Sequence, residues 1–418
     1  MGKTFAEKIL AIKSGRKEVK AGEIVEVYPD WVMSHENAAL VAKIWNSLKE
    51  EKVKYPQKIV LIFDHRVPAE SVKTAIGQKE VREFAKIQGI TNFFDINKGI
   101  CHQVMVEEGF VAPGELILGT DSHTTTYGAL GAFSTGIGAT EMAGVWATGK
   151  LWLRVPETIK IILKGSLTYP VSAKDVILHI IGKLGADGAD YREVEFAGEG
   201  IRGFSISDRL TLCNLSMEMG AKGAVCFADE KTLDYIQDRV KRAYSIITAD
   251  VDANYEQTLE FDISKLTPQI ALPHRVDNVK SVADVEGLPI DQAVVGSCTN
   301  GRLEDLEITA RILEGKKVAS SVRMIIIPAS WNIYLEALKK GFIEIFINAG
   351  AVVINPGCGP CLGAHQGLLA PGERCITSTN RNFKGRMGSG EAEIYLASPA
   401  VVAASAIKGK ITIPPERK

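Results

Sequence analysis

Short apolar runs alternate along the chain with stretches of helical periodicity. The apolar runs predict strands at about 24–28, 58–63, 92–95, 115–118, 159–163, 192–196, 292–296, 322–327, 351–355 and 374–379. Helical spacing recurs between these runs, at about 4–13, 30–48, 69–88, 172–184, 211–220 and 303–313. Strands that alternate with helices in this way predict an α/β fold built on open sheets.

The pattern changes at two places, which divide the chain into three predicted domains. After about 154–159 the candidate ligands become fewer, and a charged stretch at 234–256 is predicted to be helical. An alternating run at 259–263 predicts an edge strand, and the proline-containing stretch 266–284 is interpreted as a linker. We therefore expect α/β domains at 1–153, 154–284 and 285–418.

Length and composition are those of an ordinary globular protein with a large core. The 418 residues are too many for one typical domain, and 46% of them are hydrophobic and 24% charged. The formal net charge of −1 gives no sign of nucleic-acid binding. No apolar run approaches a membrane span, and the amino terminus lacks the apolar segment of a signal peptide. Seven cysteines without framework spacing predict a protein of the reducing cytoplasm.

Three cysteines lie in loops of small residues at the ends of predicted strands. Asn355-Pro-Gly-Cys358-Gly-Pro-Cys361-Leu-Gly363 follows one apolar run, and Gly296-Ser-Cys298-Thr-Asn300 follows another. Glycine lets the backbone approach a bulky object closely, and open α/β sheets bind their ligands at the carboxyl ends of strands. On its own, the Cys-x-x-Cys spacing fits a zinc site, a redox dithiol or an iron–sulfur cluster.

The number of cysteines narrows these possibilities. A closed zinc site has four ligands, whereas a four-iron cluster held by three thiolates leaves one iron open for Lewis-acid chemistry. The other cysteines, Cys101, Cys213, Cys226 and Cys375, lie mostly in apolar contexts and are predicted to be ordinary buried thiols. Cys375 is the nearest rival for a fourth ligand.

Histidines and carboxylates occur near three strand ends in the first predicted domain. One strand is followed by Asp64 and His65, the next by His102, and the third by Asp121 and His123. A carboxylate beside an imidazole fixes its tautomer and raises its basicity, as general acid–base catalysis requires. Any one of these histidines could be a structural group in a turn, but three at equivalent places indicate an acid–base site.

Two arginines add an anion-binding loop to this picture. Arg381 and Arg386 follow the last predicted strand that neighbours the cysteine loops, and arginine binds carboxylate or phosphate in a bidentate manner. An open iron, acid–base histidines and arginines together indicate the removal of water from a small hydroxy-carboxylate. Glu195 is either a surface charge on a strand or a partner in the site, and a lone His35 is more often structural.

Four of these motifs together resemble the aconitase superfamily. They are Gly296-Ser-Cys298-Thr-Asn300, Gly357-Cys358-Gly-Pro-Cys361-Leu-Gly363, Asp121-Ser122-His123-Thr and Asn380-Arg381-Asn-Phe-Lys-Gly385-Arg386. The resemblance covers essentially the whole chain, whose length is similar to that of large subunits of the 3-isopropylmalate dehydratase and homoaconitase type. It implies three α/β domains with the cluster among them, and no swivelling fourth domain of the kind found in full aconitases.

The resemblance implies a metal centre and a catalytic acid. Cys298, Cys358 and Cys361 match the ligands of a [4Fe-4S] cluster, one per chain, with one iron open to the substrate. His65, paired with Asp64, is similar to the acid that protonates the leaving hydroxyl group.

It also implies supporting pairs and substrate contacts. The carboxylate–imidazole pairs would be Asp121 with His102 and His123 with Glu195. Five further residues match positions near the substrate, and Asn380 among them matches one close to the cluster: Ser122, Asn380, Arg381, Arg386 and His35.

The base that takes the carbon-bound proton is, in this superfamily, a serine of the swivelling domain. The resemblance therefore implies a separate small subunit that carries this domain, and a chain that is inactive alone. The implied substrate is a small hydroxy-acid, foremost 2-isopropylmalate, which is isomerised to 3-isopropylmalate in leucine biosynthesis. Isopropylmalate enzymes usually have His-Asp, a small residue and threonine where this chain has His35-Glu36-Asn37-Ala38, so homocitrate and 2,3-dimethylmalate stay open.

Other classes of protein explain fewer of these features. An electron-transfer iron–sulfur protein needs a protein ligand for every iron, so Cys375 or another residue would have to be the fourth. An RNA-binding regulator is disfavoured by the near-neutral charge and the lack of a basic stripe. A zinc-stabilised structural protein lacks a fourth ligand.

Overall fold

The computed structural model describes residues 2–415, which form four β-sheets of two, five, four and seven strands. None of the helices within 2–415 combines the length and the apolar character that crossing a bilayer requires. The sheets follow one another along the chain, and the α/β class is as the sequence predicts.

The first region holds a five-stranded sheet that is parallel throughout. Its elements are α1 (Phe5–Ser14), β1 (Ile24–Val27), β2 (Trp31–Ser34), α2 (Ala38–Ser47), β3 (Ile59–Ile62), α3 (Val72–Gln88), β4 (Asn92–Phe94), α4 (Cys101–Glu107), β5 (Leu116–Gly119), β6 (Phe133–Gly136), α5 (Ala139–Thr148) and β7 (Leu151–Arg154). The strand order is β4-β3-β2-β5-β6, and β1 pairs separately with β7. From β2 the chain passes through β3 to β4 at one edge of the sheet. It then crosses to β5, on the other side of β2, and reaches β6 at the opposite edge.

Strand β3 shows why the sequence signal for this sheet is a continuous apolar run. Val60 and Ile62 pack into a hydrophobic cluster shared with the second region, whereas Ile59 and Leu61 pack into the cluster on the other face. A strand buried on both faces does not alternate between apolar and polar residues.

The second region holds a four-stranded parallel sheet. Its elements are β8 (Thr158–Lys164), α6 (Ala173–Leu184), β9 (Glu193–Ala197), α7 (Glu199–Gly203), α8 (Ile206–Leu215), β10 (Gly223–Cys226), α9 (Glu230–Ile236) and β11 (Gln257–Asp262). The order is β10-β9-β8-β11, so β11 is the edge strand that its alternating pattern predicts.

The third region holds the largest sheet. Its elements are β12 (Gln269–Ala271), β13 (Val279–Ser281), β14 (Gln292–Gly296), α10 (Ser297–Asn300), α11 (Leu303–Leu313), β15 (Arg323–Ile327), α12 (Trp331–Lys339), α13 (Phe342–Ala349), β16 (Val352–Val353), β17 (Arg374–Thr377), β18 (Glu393–Ala397) and α14 (Pro399–Lys408). The order is β13-β12-β18-β17-β14-β15-β16, and the strands from β18 to β16 are parallel.

The linker interpretation of 266–284 is wrong, because this stretch contains β12 and β13. Strand β12 is buried and pairs with β18 on one side and β13 on the other. The third sheet therefore begins before residue 285. Three-residue strands between prolines are too short to show a period, which is why the pattern missed them.

Two helix predictions are also wrong in part. Within 30–48 the first residues form β2, and the helix is confined to Ala38–Ser47. Within 234–256 the helix ends at Ile236, and the rest is irregular and bound to the amino-terminal segment, for example through Lys8 Nζ to Asp250 Oδ1 at 2.5 Å. A charged stretch without an apolar stripe has little to bury as a helix. The helix predicted at 211–220 begins earlier, at Ile206, and ends in a 3₁₀ turn at Ser216–Met219.

A glycine at the junction of the first two regions permits very close packing. Gly128 lies in the 3₁₀ helix Ser122–Leu130, and a Cβ atom built on it would lie 1.6 Å from the carbonyl oxygen of Ala224 in β10. Gly128→Ala should therefore lower the free energy of unfolding by about 1–3 kcal/mol or more, as overpacking does. Urea denaturation of the iron-free chain measures this change.

Gly144→Ala is the matched control, because Gly144 lies in α5 with no atom within 4 Å of the added Cβ. It should stabilise the chain by roughly 0.5–1 kcal/mol, the helical preference of alanine over glycine. Equal stabilities for the two variants would contradict the close packing of Gly128 on β10.

Candidate active site

Both large sheets reverse their strand order at a point that faces the candidate site. In the first sheet the reversal falls between β2 and β5, and in the third it falls between β14 and β17. Ligands of open α/β sheets bind at the carboxyl ends of strands beside such a reversal. His35 follows β2, Asp121 follows β5, Cys298 follows β14 and Asn380 follows β17, so the topology places these residues at the two reversal points.

Asp64 and His65 form a buried ion pair, as predicted. The Nδ1 atom of His65 lies 2.5 Å from Oδ1 of Asp64, and the other oxygen of Asp64 accepts the backbone N–H of Cys101 at 2.7 Å. Burial alone would raise the pKa of Asp64, but the charge and hydrogen bond of His65 lower it below its usual value. Burial likewise lowers the pKa of His65, yet the charge of Asp64 raises it well above the ordinary range. The raised pKa favours the protonated form of the imidazole, which is a proton donor.

Asp121 connects three histidines. Its Oδ1 accepts from Nε2 of His102 at 2.8 Å and from the backbone N–H of His123 at 2.8 Å, and its Oδ2 lies 3.5 Å from Nε2 of His65. Burial raises the pKa of Asp121, but the hydrogen bonds of His102, His123 and His65 hold it well below the usual value. On its other nitrogen, His102 contacts the hydroxyl of Tyr127 at 3.1 Å. The predicted Asp121–His102 pair is present.

The predicted pair of His123 with Glu195 is wrong. The Nε2 atom of His123 lies 2.7 Å from Oε1 of Glu218. Glu195 instead accepts the backbone N–H of Phe5 and the hydroxyl of Tyr255, each at 2.8 Å, on β9 against the amino-terminal helix. Strand alternation places Glu195 on a face of β9 that packs away from the acid–base residues.

Glu218 is the carboxylate that sequence reasoning missed. It lies in the 3₁₀ turn after α8 and also accepts from Nε of Arg381 at 2.8 Å. Burial raises its pKa, but His123 and Arg381 lower it below the usual value, so the carboxylate is ionised. One signal was available in the sequence: Glu218 is the single charge in the otherwise uncharged stretch 210–220.

Asn380 brings two of the predicted metal ligands together. Its Nδ2 donates to Sγ of Cys298 at 3.3 Å, and its Oδ1 accepts from Sγ of Cys361 at 3.1 Å. Asn214, which sequence reasoning also missed, donates to Sγ of Cys298 at 3.3 Å. The third predicted ligand, Cys358, lies beside the acid pair, because its backbone N–H donates to the carbonyl oxygen of Asp64 at 3.0 Å. The three sulfurs therefore line one site beside the acid–base histidines.

The residues around these sulfurs fit a thiolate-bound inorganic cluster. Burial raises the pKa of Cys298 to about 12, and raises that of Cys358 further, so these side chains become thiolates only beside a compensating cation. Gly359 and Gly363 hold the loop with φ of 52° and 72°, conformations that glycine adopts without strain. That Cys298, Cys358 and Cys361 bind a cluster stays a prediction.

Cys375 does not reach this site. It lies on β17 opposite Gln292, the first residue of β14, whereas Cys298 follows the last. Four residues of strand separate those ends by about 13 Å. The seven cysteines are all free, and within 2–415 we find no fourth sulfur ligand beside Asn380.

Two of the predicted substrate residues, Arg386 and Ser122, lie next to the cysteine loop and to Asp121 respectively. The Nε atom of Arg386 is buried and has no hydrogen-bond partner among residues 2–415, and the backbone of Arg386 packs against Gly363 in the cysteine loop. Ser122 directly follows Asp121 at the start of the 3₁₀ helix.

His35 packs against the acid histidine. The rings of His35 and His65 stack with centroids 4.0 Å apart and an interplanar angle of 20°. Nδ1 of His35 accepts the backbone N–H of Asn37 at 3.3 Å, which leaves the proton of the neutral ring on Nε2. Burial and the charge of His65 lower the pKa of His35 to about 4, so the stack pairs one neutral ring with one charged ring.

Glu36 fixes the backbone that carries the acid pair. Its Oε1 accepts the backbone N–H groups of Asp64 at 3.1 Å and Arg66 at 3.0 Å, and its Oε2 accepts that of His65 at 3.0 Å. Three hydrogen bonds to one carboxylate hold this turn in place, which the sequence could not show because the partners are 28 to 30 residues apart.

The depressed pKa of His35 predicts an acid-sensitive stability. Unfolded His35 takes up a proton below pH 6.5 but folded His35 only near pH 4, so its contribution is complete above 6.5 and is lost as the pH falls. Between pH 7 and 4.5 the unfolding free energy of the iron-free parent should fall by about 2–3 kcal/mol more than that of His35→Gln. Urea denaturation at both pH values measures this difference. The control His274→Gln, at an exposed site, should lose as much unfolding free energy between the two pH values as the parent does. An equal loss in His35→Gln and the parent would contradict the burial of His35 as a neutral ring.

Comparison with known proteins identifies the family. The model of the Aconitase family (aconitate hydratase) matches residues 7–287 and 279–409. A "Probable 3-isopropylmalate dehydratase large subunit" of Methanothermobacter thermautotrophicus is 54% identical over 415 residues, 99% of each chain. A "Probable methanogen homoaconitase large subunit" of the same organism is 52% identical over 98% of this chain and 97% of its own. The "3-isopropylmalate dehydratase large subunit" of Clostridium kluyveri is 50% identical over the full length of both. The chain belongs to the aconitase family.

Proposed function

We propose that this chain is the large, catalytic subunit of a [4Fe-4S] hydro-lyase of the cytoplasm. Its reaction would be the interconversion of 2-isopropylmalate and 3-isopropylmalate in leucine biosynthesis, by loss and return of water. The observation that carries the proposal is the placement of His65, bound to Asp64 and 3.5 Å from Asp121, beside the loop of Cys358, whose backbone N–H donates to the carbonyl oxygen of Asp64 at 3.0 Å. A proton donor beside a metal-binding thiol is the arrangement that removal of a hydroxyl group needs.

The cluster would be held by Cys298, Cys358 and Cys361, with Asn380 and Asn214 bonded to the sulfurs. When bound, such a cluster supplies a Lewis acid that polarises the oxygen atoms of the substrate. The three regions of the chain would be three α/β domains that enclose this site.

His65 would deliver the proton that leaves with the hydroxyl group. Its Nδ1 is held by Asp64, so Nε2 is the nitrogen available to the substrate. Asp121 lies 3.5 Å from Nε2 and is held in turn by His102. We propose that Asp121 orients the ring and stabilises its charge until the proton is transferred.

The arginines would bind the carboxylates of the substrate. Arg381 uses Nε for Glu218, and within residues 2–415 its terminal nitrogens donate no hydrogen bond. The buried Nε of Arg386 also lacks a partner there. Guanidinium groups with free N–H donors bind carboxylate in a fork geometry, and Ser122 would add a hydroxyl contact.

A separate small subunit would complete the enzyme. The relatives are named large subunits, and the chain covers 99–100% of the length of two of them. We propose that the small subunit carries the swivelling domain and the serine that removes the carbon-bound proton. This chain would then be active only in the heteromer.

Homoaconitase is the second candidate, because two relatives from one organism are 54% and 52% identical to this chain but are named for different substrates.

The test of the proposed function has two stages. Anaerobic reconstitution with iron and sulfide should give about four irons per chain and loss of one on mild oxidation, as an open iron site implies. The heteromer is then offered 3-isopropylmalate, homocitrate and 2,3-dimethylmalate. A cluster that keeps every iron would refute the proposal, and turnover of homocitrate alone would select the second candidate.

His65→Ala should retain the cluster but lower kcat by at least roughly a hundredfold, because the leaving hydroxyl loses its proton donor. Iron counting and steady-state kinetics of the reconstituted heteromer measure the two effects. His274→Ala, at an exposed histidine outside the site, should leave kcat at the parent level. Full activity of His65→Ala would remove this residue from the acid role.

Glu218→Gln and Glu195→Gln distinguish the observed partner of His123 from the one predicted by sequence. Glu218→Gln removes the charge that His123 and Arg381 share, so kcat/KM should fall by about tenfold or more, since a buried charge-assisted hydrogen bond contributes roughly 1.5–3 kcal/mol. Glu195→Gln should leave kcat/KM unchanged. The reverse pattern in the heteromer assay would restore the Glu195 assignment.

A further inference from the structure

One lysine is buried without a counter-ion. Lys174 is fully buried in the first turn of α6, and its Nζ donates to the carbonyl oxygens of Ser378 at 2.8 Å and Thr379 at 2.6 Å. Among residues 2–415 no carboxylate lies within ion-pair distance of this ammonium group. A cation at the start of a helix also opposes the helix dipole. Burial of an ammonium group in such a place is costly, so a negative group nearby is needed to favour its charged form.

The nearest acids are engaged elsewhere. Asp175 accepts the backbone N–H groups of Ser172 and Gln269, each at 2.8 Å, and Asp305 binds Asn300 and the backbone of Arg302. Burial raises the pKa of both aspartates to about 6. Neither is placed as the partner of Lys174.

The segment that Lys174 holds leads directly into the cysteine site. Thr379 precedes Asn380, which contacts Sγ of both Cys298 and Cys361. Ser378 in turn accepts the backbone N–H of Gly296, two residues before Cys298, on its hydroxyl at 3.0 Å. The ammonium group thus supports the two chain segments that flank the sulfurs.

Electrostatics point the same way. Burial lowers the pKa of Lys174, and although negative charge on Cys361, Asp305 and Cys298 opposes this shift, the pKa stays lowered, at about 7. Thiolates at the site therefore favour the charged form of this lysine, and the charged lysine favours the thiolates by the same interaction.

We propose that Lys174 is a positioning residue for the cluster: its buried charge stabilises the thiolate-bound centre, and its two hydrogen bonds fix the segment that carries Asn380 and Arg381. The inference rests on the cluster binding proposed above. Loss of the positive charge should make the bound cluster harder to reduce, and loss of the two hydrogen bonds should loosen the arginine loop.

The test compares Lys174→Met, which keeps the bulk and removes the charge, with Lys231→Met. Lys231 makes the same pair of bonds, to the carbonyl oxygens of Arg202 at 2.7 Å and Phe204 at 3.0 Å, but is exposed on α9. Both chains are reconstituted with iron and sulfide, and the midpoint potential is measured by redox titration with EPR detection. Lys174→Met should shift the potential to more negative values, lose iron faster in air, and raise KM more than it lowers kcat. Lys231→Met should match the parent.

Lys174→Arg retains the charge and should restore the potential toward the parent value, which a purely steric role would not do. If Lys174→Met fails to fold by circular dichroism, Lys174→Gln, which keeps a donor and loses the charge, takes its place in the same titration. A folded, uncharged variant with the parental potential and iron retention overturns the inference. Absence of a cluster in the parent chain is a different result, because it refutes the proposed function itself.

Discussion

One half-buried carboxylate, that of Asp121, connects the acid–base residues. It accepts from the ring of His102 and the backbone of His123, and its second oxygen lies near the ring of His65. It also caps the 3₁₀ helix that packs against α8 and β10. Because Asp121 follows β5, an inner strand at the reversal of the first sheet, the carboxylate that contacts the histidines is anchored to the sheet, as preorganised catalysis requires.

The sulfur ligands come from another sheet, and a small set of hydrogen bonds joins the two. The backbone N–H of Cys358 donates to the carbonyl oxygen of Asp64 at 3.0 Å, and Nδ2 of Asn355 donates to the carbonyl oxygen of Val67 at 2.6 Å. These bonds fix the cysteine loop relative to the acid pair. A displacement of even 1 Å between reacting groups can be costly in rate, so under the proposed function this contact between the sheets would set the catalytic geometry.

The sequence identified the residues whose chemistry is local and missed those that depend on packing. Asp64 and His65 are adjacent, and Asp121 and Cys298 follow strands with strong apolar runs, so strand ends were enough to find them. Glu218 meets His123 across 95 residues through a 3₁₀ turn with no period of its own, and Glu195 was chosen in its place. Strands β12 and β13 were missed because three residues cannot show alternation. These two strands are recognised only by their pairing with each other and with β18.

Glu36 has a consequence for how relatives of this chain are compared. The chain departs from the usual His-Asp motif at this residue, which invites the inference of a different substrate. Yet three of the four lone-pair positions of its carboxylate are occupied by peptide N–H groups of the acid-bearing turn. The side chain of glutamate is one methylene longer than that of aspartate, so its carboxylate lies further from its own backbone. In this chain, therefore, the residue at which the motif differs holds the acid-bearing turn, so the difference is not by itself evidence of another substrate.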